Sequence, residues 1–355
     1  MQKSKRPSVP LAEPEPIRPA DSATSGGLWA RDNLLAWGVV PFDLRQREPE
    51  KRAQMLERLG FRNFAYSWRK KHIPSFETEI ETLQRHRIRL LAWALYDSED
   101  PGTLPDWGQR TLDDPLAQLG VDSPGSTVLS LEGLLELFKR HNVHPQLWLV
   151  RRPRFPQLSK PFEKMTAKEL RRLETRAARG DLQKMPQEER VRQEADRVAL
   201  LAELAAPYGC QVELYNHNGW FGMIENQLAI LERLHERGEA NVGIVYNFSH
   251  ARDEFHDDTT GFATLWGKMR QHVVAVNITG THAEGTLLYP SQGDRELEMM
   301  RTIQQSGWRG AIGLIAEKGG DAEVTLRDSL KGFDWLAAEL KQPGSGGSPP
   351  FVRPS

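Results

Sequence analysis

The sequence predicts an α/β chain folded as a (β/α)8 TIM barrel. Two observations carry the prediction. Eight short apolar segments recur between residues 31 and 342, and each is followed by a stretch with helical periodicity. The alternative, a doubly wound open sheet, has fewer strands and a glycine-rich loop after the first, and no such loop is present.

The elements follow in order. The first strand is read at 34–40, and its helix opens at Pro49 with Glu50 in the first turn and stops at Gly60. The second strand is read at 63–68, with a helix from Ser75 to about His86. The third is 89–95, followed by an insertion and a helix from 130 to about 140. The fourth is 145–150, followed by a charged excursion and a long helix ending near Pro207. Strand five is 211–215 with a helix over 223–236, and strand six is 241–246 with a helix over 258–270. Strand seven is 273–277 with a helix from Asp294, and strand eight is 311–316 with a last helix over 322–340. Residues 1–30 hold five prolines and read as a flexible arm. The barrel spans 31–342, with insertions at about 97–128 and 151–190, and 343–355 read as a flexible tail.

The 355 residues, 39% hydrophobic and 27% charged, suit one large domain. A formal net charge of -1 supplies no global field for nucleic acid or acidic lipid, so neither a nucleic acid nor a membrane is the expected partner. Cys210 is the sole cysteine, which excludes an intrachain disulfide and a cysteine-rich metal site. The N-terminus is basic and then proline-rich rather than apolar, so a cytoplasmic location is expected, or a secreted or periplasmic one if a leader was removed. Residues 151–180 hold ten lysines and arginines against three acids, which suits a lid over the pocket or steering of an anionic ligand.

Chemistry concentrates at the predicted C-terminal strand ends, where barrels carry their sites. Strand five ends in Glu213-Leu-Tyr-Asn-His-Asn-Gly-Trp220, and strand eight is followed by Glu317. Two inward carboxylates could remove and return a proton beside a carbonyl, so Glu213 and Glu317 are the candidate catalytic pair. A rim ion pair of Glu317 with Lys318 or Arg309 is the bland alternative. Asn216, His217 and Asn218 could bind hydroxyls and Trp220 could stack on a sugar, or the asparagines could cap the next helix. Trp68 with Arg69 and His72 suits a carbohydrate or an acidic sugar, against a plain solvated charge run. Asp43 could orient a hydroxyl.

Several motifs together point to a known family. Val212-Glu213-Leu-Tyr-Asn216 resembles a strand-five motif carrying a metal-binding glutamate. Val245-Tyr-Asn247-Phe-Ser-His250 resembles a strand-six motif with an acid and a histidine three apart. Tyr289-Pro-Ser-Gln-Gly-Asp294 and Gly307-Trp-Arg-Gly310 resemble a late glycine-acid loop and the turn into strand eight, and Ile315-Ala-Glu317 a terminal glutamate. Over about residues 33–340 the chain thus resembles the sugar phosphate isomerase/epimerase family of xylose-isomerase-like barrels. That superfamily includes endonuclease-IV-like enzymes, inosose dehydratases and ketose 3-epimerases.

The resemblance implies a divalent ion (Mn, Mg, Co or Zn) and no organic cofactor. Where the family has glutamate, aspartate, histidine and glutamate, this chain offers Glu213, Asn247, Asn277 and Glu317, an asparagine-substituted metal site. His250 and His282 are further candidate ligands, and Asn247 and Asn277 are also candidate substrate contacts. The expected function is isomerisation, epimerisation or elimination on a sugar or polyol derivative, by carboxylate-mediated proton abstraction. The alternatives are a non-catalytic carbohydrate-binding barrel and, third, an endonuclease-IV-like nuclease. Homo-oligomers are common among barrels that resemble this one.

Overall fold

In a computed structural model, residues 27–99, 131–153, 185–217, 219–239, 241–253, 259–281, 287–318 and 320–351 are described. Residues 1–26 of the arm, most of both predicted insertions with the basic lid segment, and Asn218 and His282 lie outside the described residues.

Each apolar segment becomes a strand: β1 (Leu34–Trp37), β2 (Asn63–Tyr66), β3 (Arg89–Glu99), β4 (Gln146–Pro153), β5 (Val212–Tyr215), β6 (Val242–Asn247), β7 (Val273–Ile278) and β8 (Ala311–Ile315). They pair in parallel and in chain order, and β8 returns to β1 with Leu34 opposite Ile312 and Trp37 opposite Ile315. The ring is therefore a closed (β/α)8 barrel, without a sheet edge. β3 and β4 run past the predicted ends and stay paired as far as Glu99 and Pro153.

The outer helices are α1 (Pro49–Arg58), α2 (Phe76–Arg85), α3 (Leu131–Arg140), α4 (Gln187–Ala205), α5 (Ile224–His235), α6 (Thr259–Met269), α7 (Glu296–Gln305) and α8 (Ala322–Lys341). No helix among the described residues is long and apolar enough to cross a membrane. Strand alternation divides the core in two. Val212, Leu214, Ile244 and Tyr246 face the helices, whereas Leu35, Trp37, Trp148, Tyr215, Val245 and Ile315 share the barrel interior. Cys210 is an ordinary buried thiol, its pKa pushed up to about 12 by burial.

Two ionic clasps tie the first helices together. After α2, His86 bridges Glu57 (2.8 Å) and Glu50 (2.9 Å) on α1. After α3, His141 reaches Glu77 on α2 at 3.0 Å, beside Arg140 at 3.2 Å. Composition suggests a free tail, yet residues 343–351 lie against α8. Glu339 accepts from the N–H groups of Gly344 and Gly346, Trp335 donates to the Gly347 carbonyl, and Phe351 stacks on Tyr289. These contacts satisfy backbone groups that a glycine-rich tail would otherwise leave to water.

Candidate active site at the barrel mouth

Glu213 and Tyr215 both point into the barrel, because a strand repeats its facing every two residues. They lie at different depths. Glu213 stands beside Trp148 and Gly243 in the register of the ring and is 1% exposed. Its Oε2 has no hydrogen-bond partner among the described residues, and a Cβ at Gly243 would overlap that oxygen. Burial raises its pKa well above the carboxylate range, with a backbone hydrogen bond at Gly243 opposing the shift only in part. Glu213 is therefore an enclosed carboxyl whose burial favours the neutral form, inside the barrel and below the mouth.

Tyr215 holds the centre of the next layer. Its hydroxyl accepts from Trp37 Nε1 at 2.9 Å and from Asn247 Nδ2 at 2.6 Å, with Asn277 Nδ2 at 3.5 Å. Burial raises the phenol pKa, and the charge of Glu317 adds to the shift; the donors from Asn247, Asn277 and Trp37 oppose it. Glu317 is half-buried and sits in a niche at Gly38, where a Cβ would overlap its side chain and where φ is +67°. His250 approaches Tyr215 with ring centroids 5.9 Å apart, and His217 lies 4.6 Å from His250.

The donor set at this layer opposes a divalent cation. Metal ligands must present lone pairs, but Trp37, Asn247 and Asn277 present N–H groups. The amide oxygen of Asn247 is turned away and accepts from Ser249 N and Oγ, both at 3.0 Å. Asn277 Oδ1 faces Gly313 and has no hydrogen-bond partner among the described residues. Glu317 is left as the carboxylate of the layer. The expected Glu213, Asn247, Asn277 and Glu317 do not converge on one point: Glu213 lies a layer below, and the amide nitrogens of Asn247 and Asn277 face Tyr215. Among the described residues, Glu77, Glu81 and His141 do offer three ligand atoms within 4.8 Å of one another. They lie on α2 and just after α3, in the outer helical layer rather than in the barrel.

The closed (β/α)8 ring is similar in fold to several solved barrels. No protein-family model matches the chain, and no curated protein matches it. Among solved structures, an IOLI protein with a bound zinc atom superposes with a TM-score of 0.55 at 15% identity, covering 89% of this chain and 99% of that one. The 3-keto-D-glucoside 4-epimerase YcjR from E. coli gives 0.53 at 14% identity, over 85% and 98% of the two chains. A xylose isomerase domain protein from Alicyclobacillus acidocaldarius gives 0.50 at 17% identity, over 87% and 99%. At such identities the likeness is one of fold.

The remaining candidates separate by their contacts. Trp68 is 1% exposed and donates to the Ala94 carbonyl, so its ring packs on Phe76 and Tyr96 instead of facing a ligand. Arg69 lies over Phe42 and Tyr96. Asp43 accepts from Arg47 Nη1 (2.7 Å) and from the backbone of Arg45, Arg47 and Ala322, which ties the β1 loop to the start of α8. Its pKa is lowered: burial acts to raise it, but those donors prevail. Asn216 splints β5 to β6, donating to the Asn247 carbonyl and accepting from its N–H at 2.7 Å. Trp220 donates to Gln187 and lies under Arg190, so it anchors α4. His72 lines a cleft beside the mouth. Tyr215 is the residue that reading by residue type passed over. Its parity with Glu213 was the available signal.

Proposed function

We propose that this chain is a metal-independent enzyme that moves a proton beside the carbonyl of a small sugar or polyol derivative, as an isomerase, epimerase or lyase. The observation that carries the reading is the half-buried Glu317 held beside Tyr215, with the His217–His250 ring pair on the neighbouring strand ends. Glu317 would take the proton, and an imidazole would serve the carbonyl oxygen. Tyr215, 2% exposed, is a positioning residue for Glu317, and the N–H groups around it favour negative charge nearby. The similarity in fold to a 3-keto-D-glucoside 4-epimerase agrees with a sugar-derived substrate.

A second reading, a sugar-binding barrel without turnover, is favoured by one observation: Asn247 and Asn277 are 0% exposed and bonded within the protein. The test is solvent-proton exchange. Ketoses, uronates and keto-glycosides are incubated with the protein in deuterated water, with and without a chelator, and followed by proton NMR. The reading expects exchange that survives the chelator and falls at least about 100-fold in Glu317→Gln. Exchange that requires an added divalent ion would overturn it, and binding without exchange would establish the second reading.

A further inference from the structure

Beside the mouth, the loops after β1 and β2 enclose a cleft of about 350 Å³. Arg52 of α1 lines it, and is 4% exposed. Its Nη1 donates to the Arg47 carbonyl at 2.6 Å and its Nη2 lies 3.4 Å from Glu79, but its Nε has no hydrogen-bond partner among the described residues. Glu79 is itself buried, which raises its carboxyl to about 7 despite the opposing charge of Arg52. The 3.4 Å contact with Glu79 is long for a charge-assisted bond, so Arg52 is a loosely paired cation in the cleft wall.

The rest of the lining has the same polarity. His72 Nδ1 accepts the Arg69 N–H at 2.9 Å, so the neutral ring keeps its hydrogen on Nε2 as a donor. Burial, then the charges of Lys71, Arg52 and Arg69, hold the His72 pKa down to about 4. The ten-residue helices α1 and α2 both begin at the cleft, at Pro49 and beside Ser75, and neither has a side-chain cap. α1 opens on Pro49, which has no N–H to offer, and the first N–H of α2 is bonded to the Ile73 carbonyl, so what these helix starts add at the cleft is the positive end of their dipoles. Arg47, also in the lining, is committed to Asp43, Asp321 and Glu323. Glu48 is the acid of the lining, and it is exposed.

We propose that this cleft binds a small oxyanion, a phosphate or carboxylate group, through Arg52, Lys71, His72 and Thr78 at the starts of α1 and α2. Val40 in the cleft wall follows Trp37 of the mouth closely in sequence. Insofar as the mouth acts on a sugar derivative, which rests on the function proposed above, the cleft would take that substrate's acidic group. Free phosphate would supply the same chemistry.

The experiment is a calorimetric titration with inorganic phosphate, alone and in competition with a hexose 6-phosphate and the parent hexose. Wild type should bind phosphate with a dissociation constant of about 1 mM. Lys71→Ala, at an exposed position, should weaken binding about tenfold, and Thr78→Val should weaken it less. Glu317→Gln should bind phosphate like wild type, which separates this site from the acid–base reading. Competition by the hexose phosphate but not the hexose identifies a substrate group, and phosphate binding without that competition identifies a free anion; both sustain the site. No phosphate binding by wild type, or equal affinity in wild type, Lys71→Ala and Thr78→Val, would overturn it.

Discussion

Two inward layers of one strand meet opposite surroundings. The deeper layer holds Glu213, whose outer oxygen finds no partner among the described residues. The mouth layer holds Tyr215, whose hydroxyl gathers N–H donors from β1, β6 and β7. Two residues of strand separate them by about 6.6 Å. That short step divides an enclosed acid from the hub of the mouth. A charged-residue motif on a barrel strand is therefore informative only once its depth is known.

Removing each centre tests that contrast. Tyr215→Phe leaves the Trp37 and Asn247 donors unpaired in the interior and should cost about 3 kcal/mol in urea unfolding. Glu213→Gln keeps a carbonyl oxygen for the Gly243 N–H and should cost under about 1 kcal/mol. Equal losses would erase the distinction.

The pH dependence of the same pair sharpens it. Glu213 has a folded pKa above its ordinary 4.5, so its contribution is fully present below about that pH and is lost as pH rises toward the folded value. Glu213→Gln abolishes this slope. Its melting temperature relative to wild type should therefore climb as pH rises above about 4.5, and a constant difference would mean that burial does not raise this carboxyl.

The smallest effect belongs to the exposed clasp at His86, a control in water. Its pKa is raised, first by Glu57 and then by Glu50. The stabilisation is present below about 6.5 and lost as pH rises through the folded value. At pH 6, His86→Ala should cost no more than a few tenths of a kcal/mol, and high salt should shrink even that. A loss as large as that of Tyr215→Phe would place the clasp among the principal supports of the barrel.

The architecture was legible because period and punctuation agree. Pro49 opens α1, Gly60 closes its turn, and the apolar runs mark all eight strands within a few residues. The overruns of β3 and β4 escaped because they rest on backbone pairing beyond the apolar run. The site was less legible. Glu317, Asn247 and Asn277 lie at the mouth layer, whereas Glu213, which its motif puts at a strand end, lies one layer below. Trp68, Trp220, Asp43 and Asn216 were chosen by residue type, and their hydrogen bonds to Ala94, Gln187, Arg47 and Asn247 depend on packing that one-dimensional spacing does not encode.

The niche at Gly38 has a consequence for the life of the molecule. Glu317 comes from the last unit of the chain and its seat from the first, so the carboxylate is held only after the ring has joined end to end. During synthesis or refolding, a chain lacking its eighth unit can collapse and bury apolar surface, yet it lacks the carboxylate that the niche exists to hold. The seating of Glu317 would then serve as a clock for ring closure, running behind the recovery of secondary structure.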